Sequence, residues 1–315
     1  MKKKIIIVLL SLGVILTSAY FLITALKRPA QSMNQVKLLP QLKNQEDKRR
    51  SLQYWQYMKQ SIDHRAGNFK GTAGIVIEDL KRDYTFGLNE NIPLPSASLV
   101  KIPVMAACFY AASQGKINLK AYLVLKNSSK TSGSGRLKSY PAGTQVTIEK
   151  LIEIMIEESD NTASNMLIDL LGFNYLNDTF KKLGLKNTNI VRKMMDFKSR
   201  KRGRENFTTA ADLAFMLKQI YEGKLINKEI SAKCLEILKK QKMRDRIPAK
   251  LPSGTVVAHK TGLERRICHD VGIIFTYRGD MLVCVLTRHK NKTAQAAKHF
   301  ISYTALDAYN YAARQ

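Results

Sequence analysis

The chain has 315 residues, 45% of them hydrophobic and 24% charged, with a formal net charge of +27. That length and apolar content exclude a disordered chain and leave room for one domain or two closely packed lobes. The charge favours anionic partners such as a cell-wall polymer or an acidic phospholipid surface. No nucleic-acid module accompanies it, however, and the single Trp offers no stacking platform, so nucleic acid is not expected.

At the N-terminus, Lys2-Lys3-Lys4 precede an uncharged run from Ile5 to Leu26, 22 residues that would span roughly 33 Å as a helix. This suits an uncleaved membrane anchor, and Thr17-Ser18-Ala19 makes a poor cleavage site. Residues 1–28 are therefore expected to be an anchor or signal segment. The rest would lie at the extracytoplasmic face of the cell membrane, or be secreted if the segment is cleaved. Residues 29–45 are polar and aperiodic and read as a linker, leaving 46–315 as the folded domain.

A helix is expected from about Glu46 to Ile62, with Leu52, Trp55, Met58 and Ile62 at helical spacing. Thr72–Leu80 and Tyr84–Leu88 read as strands. Helical patterns follow at Ser98–Ser113, Ile148–Ile156, Ala163–Leu171, from Thr208 or Thr209 to Tyr221, and at Ile230–Leu238. Thr255–Thr261, His269–Tyr277 and Met281–His289 are strand-like, and Thr293–Ala312 returns to helix. The order predicts an α+β fold: an antiparallel sheet of about five strands, flanked by terminal helices, with an all-helical lobe inserted midway. Cys108, Cys234, Cys268 and Cys284 lack metal or redox spacing and read as small buried hydrophobes. No metal cluster or phosphate-cradling Gly-rich loop is visible, so no cofactor is expected, and a monomer is.

Three short stretches carry chemistry. Ser98-Leu99-Val100-Lys101 sets a hydroxyl and an amine one turn apart at a helix start, where a lysine of depressed pKa could take the serine's proton. Ser159-Asp160-Asn161, between two helices, can project a hydroxyl and a carboxamide into a cleft. Lys260-Thr261-Gly262 ends an apolar strand, where an amine and a hydroxyl can hold a carboxylate. Each has a bland reading: a helix cap with a surface lysine, a turn between helices, or an edge-strand lysine.

Together and in this order they resemble the set found in class A β-lactamases and penicillin-binding proteins. The resemblance extends from about Gln53 to Tyr309. It includes the approach Pro95-Ser96-Ala97, the run Thr162-Ala163-Ser164-Asn165 and the Thr208-Thr209 helix start. It implies Ser98 as nucleophile, Lys101 as its proton acceptor and Ser159 as proton donor to the leaving nitrogen. Asn161 would hold the substrate's side-chain amide, and Lys260 and Thr261 its carboxylate. The backbone N–H groups of Ser98 and Leu263 would form the oxyanion hole.

One position departs from the pattern. Two residues after Arg192, and fourteen before Thr208, the family's water-activating glutamate is replaced by Met194. Asp196 is the best substitute and Glu205 a distant second, although Asp196 could equally be a loop carboxylate paired with Arg192, Arg200 or Arg202. Three functions compete: a β-lactamase or related serine hydrolase, a penicillin-binding D,D-peptidase or esterase acting on peptidoglycan, and a membrane-tethered sensor that acylates without turnover. The motif context favours the first.

Overall fold

The computed structural model describes residues 20–24 and 33–315. They separate into two units, Met1–Gln53 and Tyr54–Gln315, and the motifs all lie in the second. The Ile5–Leu26 stretch falls almost wholly outside the described residues. Among those described, no helix is long and apolar enough to cross a membrane.

The helix expected from Glu46 already begins at Met33, as α1 (Met33–Gly67). Residues 33–45, assigned to the linker, are therefore helical. They are rich in Gln, Leu and Lys, good helix formers, but Pro40 and the interspersed Asn point a sequence reading away from helix. Five strands form one antiparallel sheet in the order β2-β1-β9-β8-β7. These are β1 (Gly71–Asp79), β2 (Tyr84–Leu88), β7 (Val257–Glu264), β8 (Ile267–Ile274) and β9 (Met281–His289).

Because successive strand side chains face opposite ways, the sheet feeds two cores. Ile75, Ile77, Val283 and Val285 pack with Trp55, Met58 and Ile62 of α1 and with Phe300, Ile301 and Tyr311 of α9 (Gln295–Ala313). Val76, Leu282, Cys284 and Leu286 face the other way, into the helical lobe. That lobe holds α2 (Lys101–Ser113), α3 (Ile148–Glu157), α4 (Asn161–Leu171), α5 (Phe173–Lys182), α7 (Ala210–Tyr221) and α8 (Lys228–Lys239). α3 shows the local logic. Thr147 caps it by accepting from the Lys150 N–H at 3.2 Å, and Ile148, Leu151, Ile152, Met155 and Ile156 form its buried face. Truncating one such Leu or Ile to Ala costs about 2–5 kcal/mol.

Short elements complete the chain: β3 (Leu94–Pro95) with β6 (Phe207–Thr208), β4 (Tyr122–Val124) with β5 (Gln145–Thr147), and α6 (Phe197–Lys201). All four cysteines are buried and free. Burial pushes the Cys108 thiol up to about 12, which makes it an inert hydrophobe.

Candidate active site

The helix predicted from Ser98 is split. A 3-10 turn, Ala97–Val100, carries Ser98, and α2 begins only at Lys101. Ala97 adopts φ +45°, a left-handed conformation that costs an L-residue about 1–3 kcal/mol. The turn is held from several sides. The Ser96 N–H donates to the Asn206 carbonyl at 2.8 Å, and the Leu99 N–H to the Ser96 carbonyl at 2.9 Å. Leu99 packs against Gly262, where a Cβ would lie 3.3 Å from the Leu99 Cγ and 3.1 Å from the His269 ring. Glycine at 262 therefore lets the serine turn approach β7 closely.

His269 supports the same turn. Its Nδ1 accepts from the Thr287 N–H at 2.9 Å, so Nε2 carries the proton and donates to the Pro95 carbonyl at 2.8 Å. Burial holds its pKa down to about 4, which keeps the ring neutral near pH 7. The residue lies under the nucleophile's approach and does not line the cleft.

The two amines meet at Ser159. Lys101 Nζ, fully buried, donates to the Ser159 carbonyl at 2.6 Å and to Asn161 Oδ1 at 2.8 Å, and lies 3.2 Å from Ser159 Oγ. Lys260 Nζ reaches the same hydroxyl from β7 at 2.9 Å and the Thr261 carbonyl at 2.9 Å. Ser159 adopts φ +56°, a second left-handed residue in the site. Desolvation, and then the neighbouring charge of Lys260, hold the Lys101 pKa well below that of a free lysine. Desolvation brings Lys260 to about 7, with Asp270 opposing the shift and Arg246 reinforcing it.

Asp160 takes no part in the relay. Its Oδ1 caps α4 by accepting from the Ala163 N–H at 2.9 Å, and its Oδ2 accepts from the Leu137 N–H at 2.8 Å. That second bond draws in a segment not anticipated as part of the site, residues 131–137. The Asn161 amide donates to the Ser132 carbonyl at 3.0 Å, and a Cβ at Gly135 would lie 2.4 Å from the Asp160 Cα, so only glycine fits. The alternating Ser-Gly-Ser-Gly of 132–135 was the available signal.

Arg246 was also missed. It is 1% exposed, yet Nη1 and Nη2 have no hydrogen-bond partner, although Nη1 lies 3.0 Å from the Asp245 carboxylate. Its Nε donates to Cys268 Sγ at 3.3 Å. Cys268 pairs across the strands with Leu263, and Asp270 with Thr261, which places the guanidinium on the Thr261 face of β7. Asp270, through Oδ2, accepts from the Ile247 N–H at 2.9 Å and so fixes the turn beside Arg246. β7 is the sheet's edge strand, so Lys260, Thr261 and Arg246 can serve one anion from its two faces. The Leu263 side chain is 48% exposed beside them.

The loop between Arg192 and Asn206 is cinched at its base, where Asn206 Oδ1 accepts from the Val191 and Arg192 N–H groups at 2.7 and 3.0 Å. Asn165 then holds Met194 from both sides, accepting its N–H at 2.8 Å and donating to its carbonyl at 3.1 Å. Asn161 and Asn165 are four apart on α4 and share a face, so residue 194 lies about one helical turn from the Asn161–Lys101 contact. A carboxylate there would border the site, but the Met194 side chain is 6% exposed and packs into the lobe's core. Met195 (φ +65°) brings a second thioether, 3.2 Å from an ideal Cβ on Gly133 beside Asn161.

Neither substitute carboxylate is placed there. Asp196 accepts from the Ser199 N–H at 3.0 Å and the Ser199 hydroxyl at 2.7 Å, capping α6, and the first of these bonds lowers its pKa. It pairs with none of the arginines considered for it. Glu205 is bound to Arg192 and Arg200 at 2.6 and 2.7 Å. Among the described residues, no carboxylate hydrogen-bonds Lys101, Ser159 or Asn161, and no group of His, Cys, Asp or Glu side chains is placed to hold a metal.

Comparison with known proteins agrees with this architecture. Residues 57–312 match the pattern of the "Beta-lactamase enzyme family". Beta-lactamase VEB-1 of Pseudomonas aeruginosa is 25% identical over 259 residues, covering 76% of this chain and 84% of that protein. A β-lactamase from Sphaerobacter thermophilus superposes with a TM-score of 0.75 at 32% identity, over 83% of this chain and 98% of that one. PBP-A superposes equally well, with a TM-score of 0.75 at 26% identity over 82% and 97%. A PBP-A mutant is also known as its acyl-enzyme with penicillin G.

Proposed function

The chain belongs to the beta-lactamase enzyme family, and from that premise we propose that it acylates readily on Ser98 and deacylates slowly. It is a β-lactamase-like serine hydrolase with β-lactams as substrates. The observation that carries the kinetic reading is the contrast between an assembled Lys101–Ser159–Lys260 relay and a loop that presents Met194 and Met195 where a water-activating base is needed.

Ser98 Oγ attacks the lactam carbonyl, and its proton passes to neutral Lys101 Nζ. The developing oxyanion is assigned to the backbone N–H groups of Ser98 and Leu263. As the C–N bond breaks, Ser159 Oγ gives its proton to the departing nitrogen and is reprotonated through the amines bonded to it. Lys260 in its protonated form, the Thr261 hydroxyl and the Arg246 guanidinium, whose Nη1 is ion-paired with Asp245 and whose Nη2 has no partner among the described residues, bind the substrate carboxylate. Asn161, already bonded to Lys101 and Ser132, can meet the substrate's amide after local exchange of those bonds. The acyl ester then awaits water, and among the described residues no carboxylate bonded to Lys101, Ser159 or Asn161 is available to deprotonate it. Asp196 is assigned to capping and Glu205 to holding the loop.

The apolar run Ile5–Leu26 behind Lys2–Lys4 supports an extracytoplasmic domain on an N-terminal anchor. Intact-mass spectrometry after exposure to penicillin G tests the proposal. A persistent adduct that maps to the Ser98 peptide is expected, and absence of any adduct overturns it.

A further inference from the structure

Six basic side chains unused by the acyl-transfer chemistry sit together beside the cleft. Lys198, Lys201, Arg202 and Arg204 are exposed on the Arg192–Asn206 loop, and Arg265 and Arg266 are exposed at the β7–β8 turn. A cluster of ion pairs centred on buried Arg192 explains why the two segments adjoin. Arg192 and Arg200 of the loop share Glu205 with each other and bridge to Glu264 at 3.3 and 2.8 Å, and Glu264 immediately precedes Arg265.

Over residues 192–205 and 264–266, nine Lys or Arg meet only Asp196, Glu205 and Glu264. Those three carboxylates are engaged, Asp196 by Ser199 and the glutamates by Arg192 and Arg200. Lys193 pairs with Asp169. None of the six exposed cations forms an ion pair among the described residues. Their mutual repulsion is left uncompensated on one rim, where a bound polyanion would relieve it.

We propose that this rim docks a linear phosphodiester polymer along the lip of the active-site cleft. The cations are exposed and spread over a loop and a neighbouring turn, so they do not converge on one compact ion. Four of the six are Arg, whose planar fork suits phosphate oxygens. Phe197 is the one exposed aromatic in the two stretches, so the surface reads backbone charge and not bases. A bilayer pressed against the rim would cover the cleft beside it, whereas a polymer chain can lie alongside and leave it open. The site is independent of the acyl-transfer reading.

The test uses the full-length chain and fluorescently labelled poly(glycerol phosphate), with anisotropy followed against salt. One variant carries Lys198→Gln, Lys201→Gln, Arg202→Gln, Arg204→Gln, Arg265→Gln and Arg266→Gln. A control removes equal charge elsewhere through Lys116→Gln, Lys120→Gln, Lys126→Gln, Lys181→Gln, Lys182→Gln and Lys228→Gln, all at exposed positions. The rim variant should bind at least about tenfold more weakly with a shallower salt dependence, and the control should lose less than about twofold. Equal losses in both, or no binding by the parent chain, overturn the proposal. So does rim-dependent binding to phosphatidylglycerol vesicles in the absence of polymer binding. In the unaltered protein, polymer should also protect Lys198 and Lys201 from amine acetylation, and unchanged labelling counts against it.

Discussion

The nucleophile pocket and the Arg192–Asn206 loop are neighbours built to different standards. In the pocket, two buried amines flank one hydroxyl, and left-handed residues at Ala97 and Ser159 aim the groups. In the loop, the scaffold is equally firm, with Asn165 and Asn206 fixing its backbone, but Met194 turns its side chain into the core and the side chain near Asn161 is the Met195 thioether. The frame for a water-activating group is present without the group itself. On the proposed reading, the two half-reactions of a serine hydrolase are separated within one fold, acylation served by the pocket and deacylation left unserved by the loop.

The largest effect should come from breaking the better-equipped region. Lys101→Met removes the proposed proton acceptor, and the rate of adduct formation should fall about 10²–10⁴-fold, measured by intact mass against time. An unchanged rate would mean that another group accepts the Ser98 proton. Equipping the loop should work in the opposite direction. Met194→Glu is expected to speed loss of the acyl adduct by about tenfold or more while leaving its formation nearly unchanged. A constant adduct lifetime would place the water's base elsewhere.

Arg246→Gln sharpens the assignment of the anion site. It should raise KM for a carboxylate-bearing β-lactam by roughly 10–100-fold, the worth of a charged hydrogen bond, with a smaller change in kcat. A kcat effect alone would place Arg246 outside the substrate's reach.

The smallest expected effect concerns stability. His269 has a folded pKa of about 4, below its ordinary value of 6.5, so the unfolded chain binds the extra proton first. Its contribution to stability is complete above about pH 6.5 and is lost as pH falls toward 4. In His269→Gln the decline of Tm over that window should be shallower than in the parent, whatever the variant's stability at pH 7, and parallel curves would refute the assignment.

Much of this was legible in the sequence because strands and helices declare themselves by period. Val76 and Ile77 alternate faces, and Leu151, Ile152 and Met155 mark a stripe. The motifs also kept their order, so the sequence could name Lys101, Ser159 and Lys260, which hydrogen bonds bring together, while the role of Ser98 rests on the resemblance. α5 was missed because Leu176 and Phe180 are its only large buried apolar side chains among Asn, Asp and Lys. Arg246 was missed because Lys242-Met243-Arg244-Asp245-Arg246 reads as solvated charge, and burial of its last member is set by Cys268 and Asp270 more than twenty residues away. Asp196 misled for the same reason: sequence gives a carboxylate's position along the loop, but not the serine N–H that engages it.

Burst kinetics with a chromogenic cephalosporin tests the central claim most directly. The account predicts colour equal to one equivalent of enzyme in a fast phase, followed by a much slower steady state set by loss of the Ser98 ester. A fast steady state with no burst would show that deacylation is not limiting, and would contradict the assignment of the loop as catalytically empty.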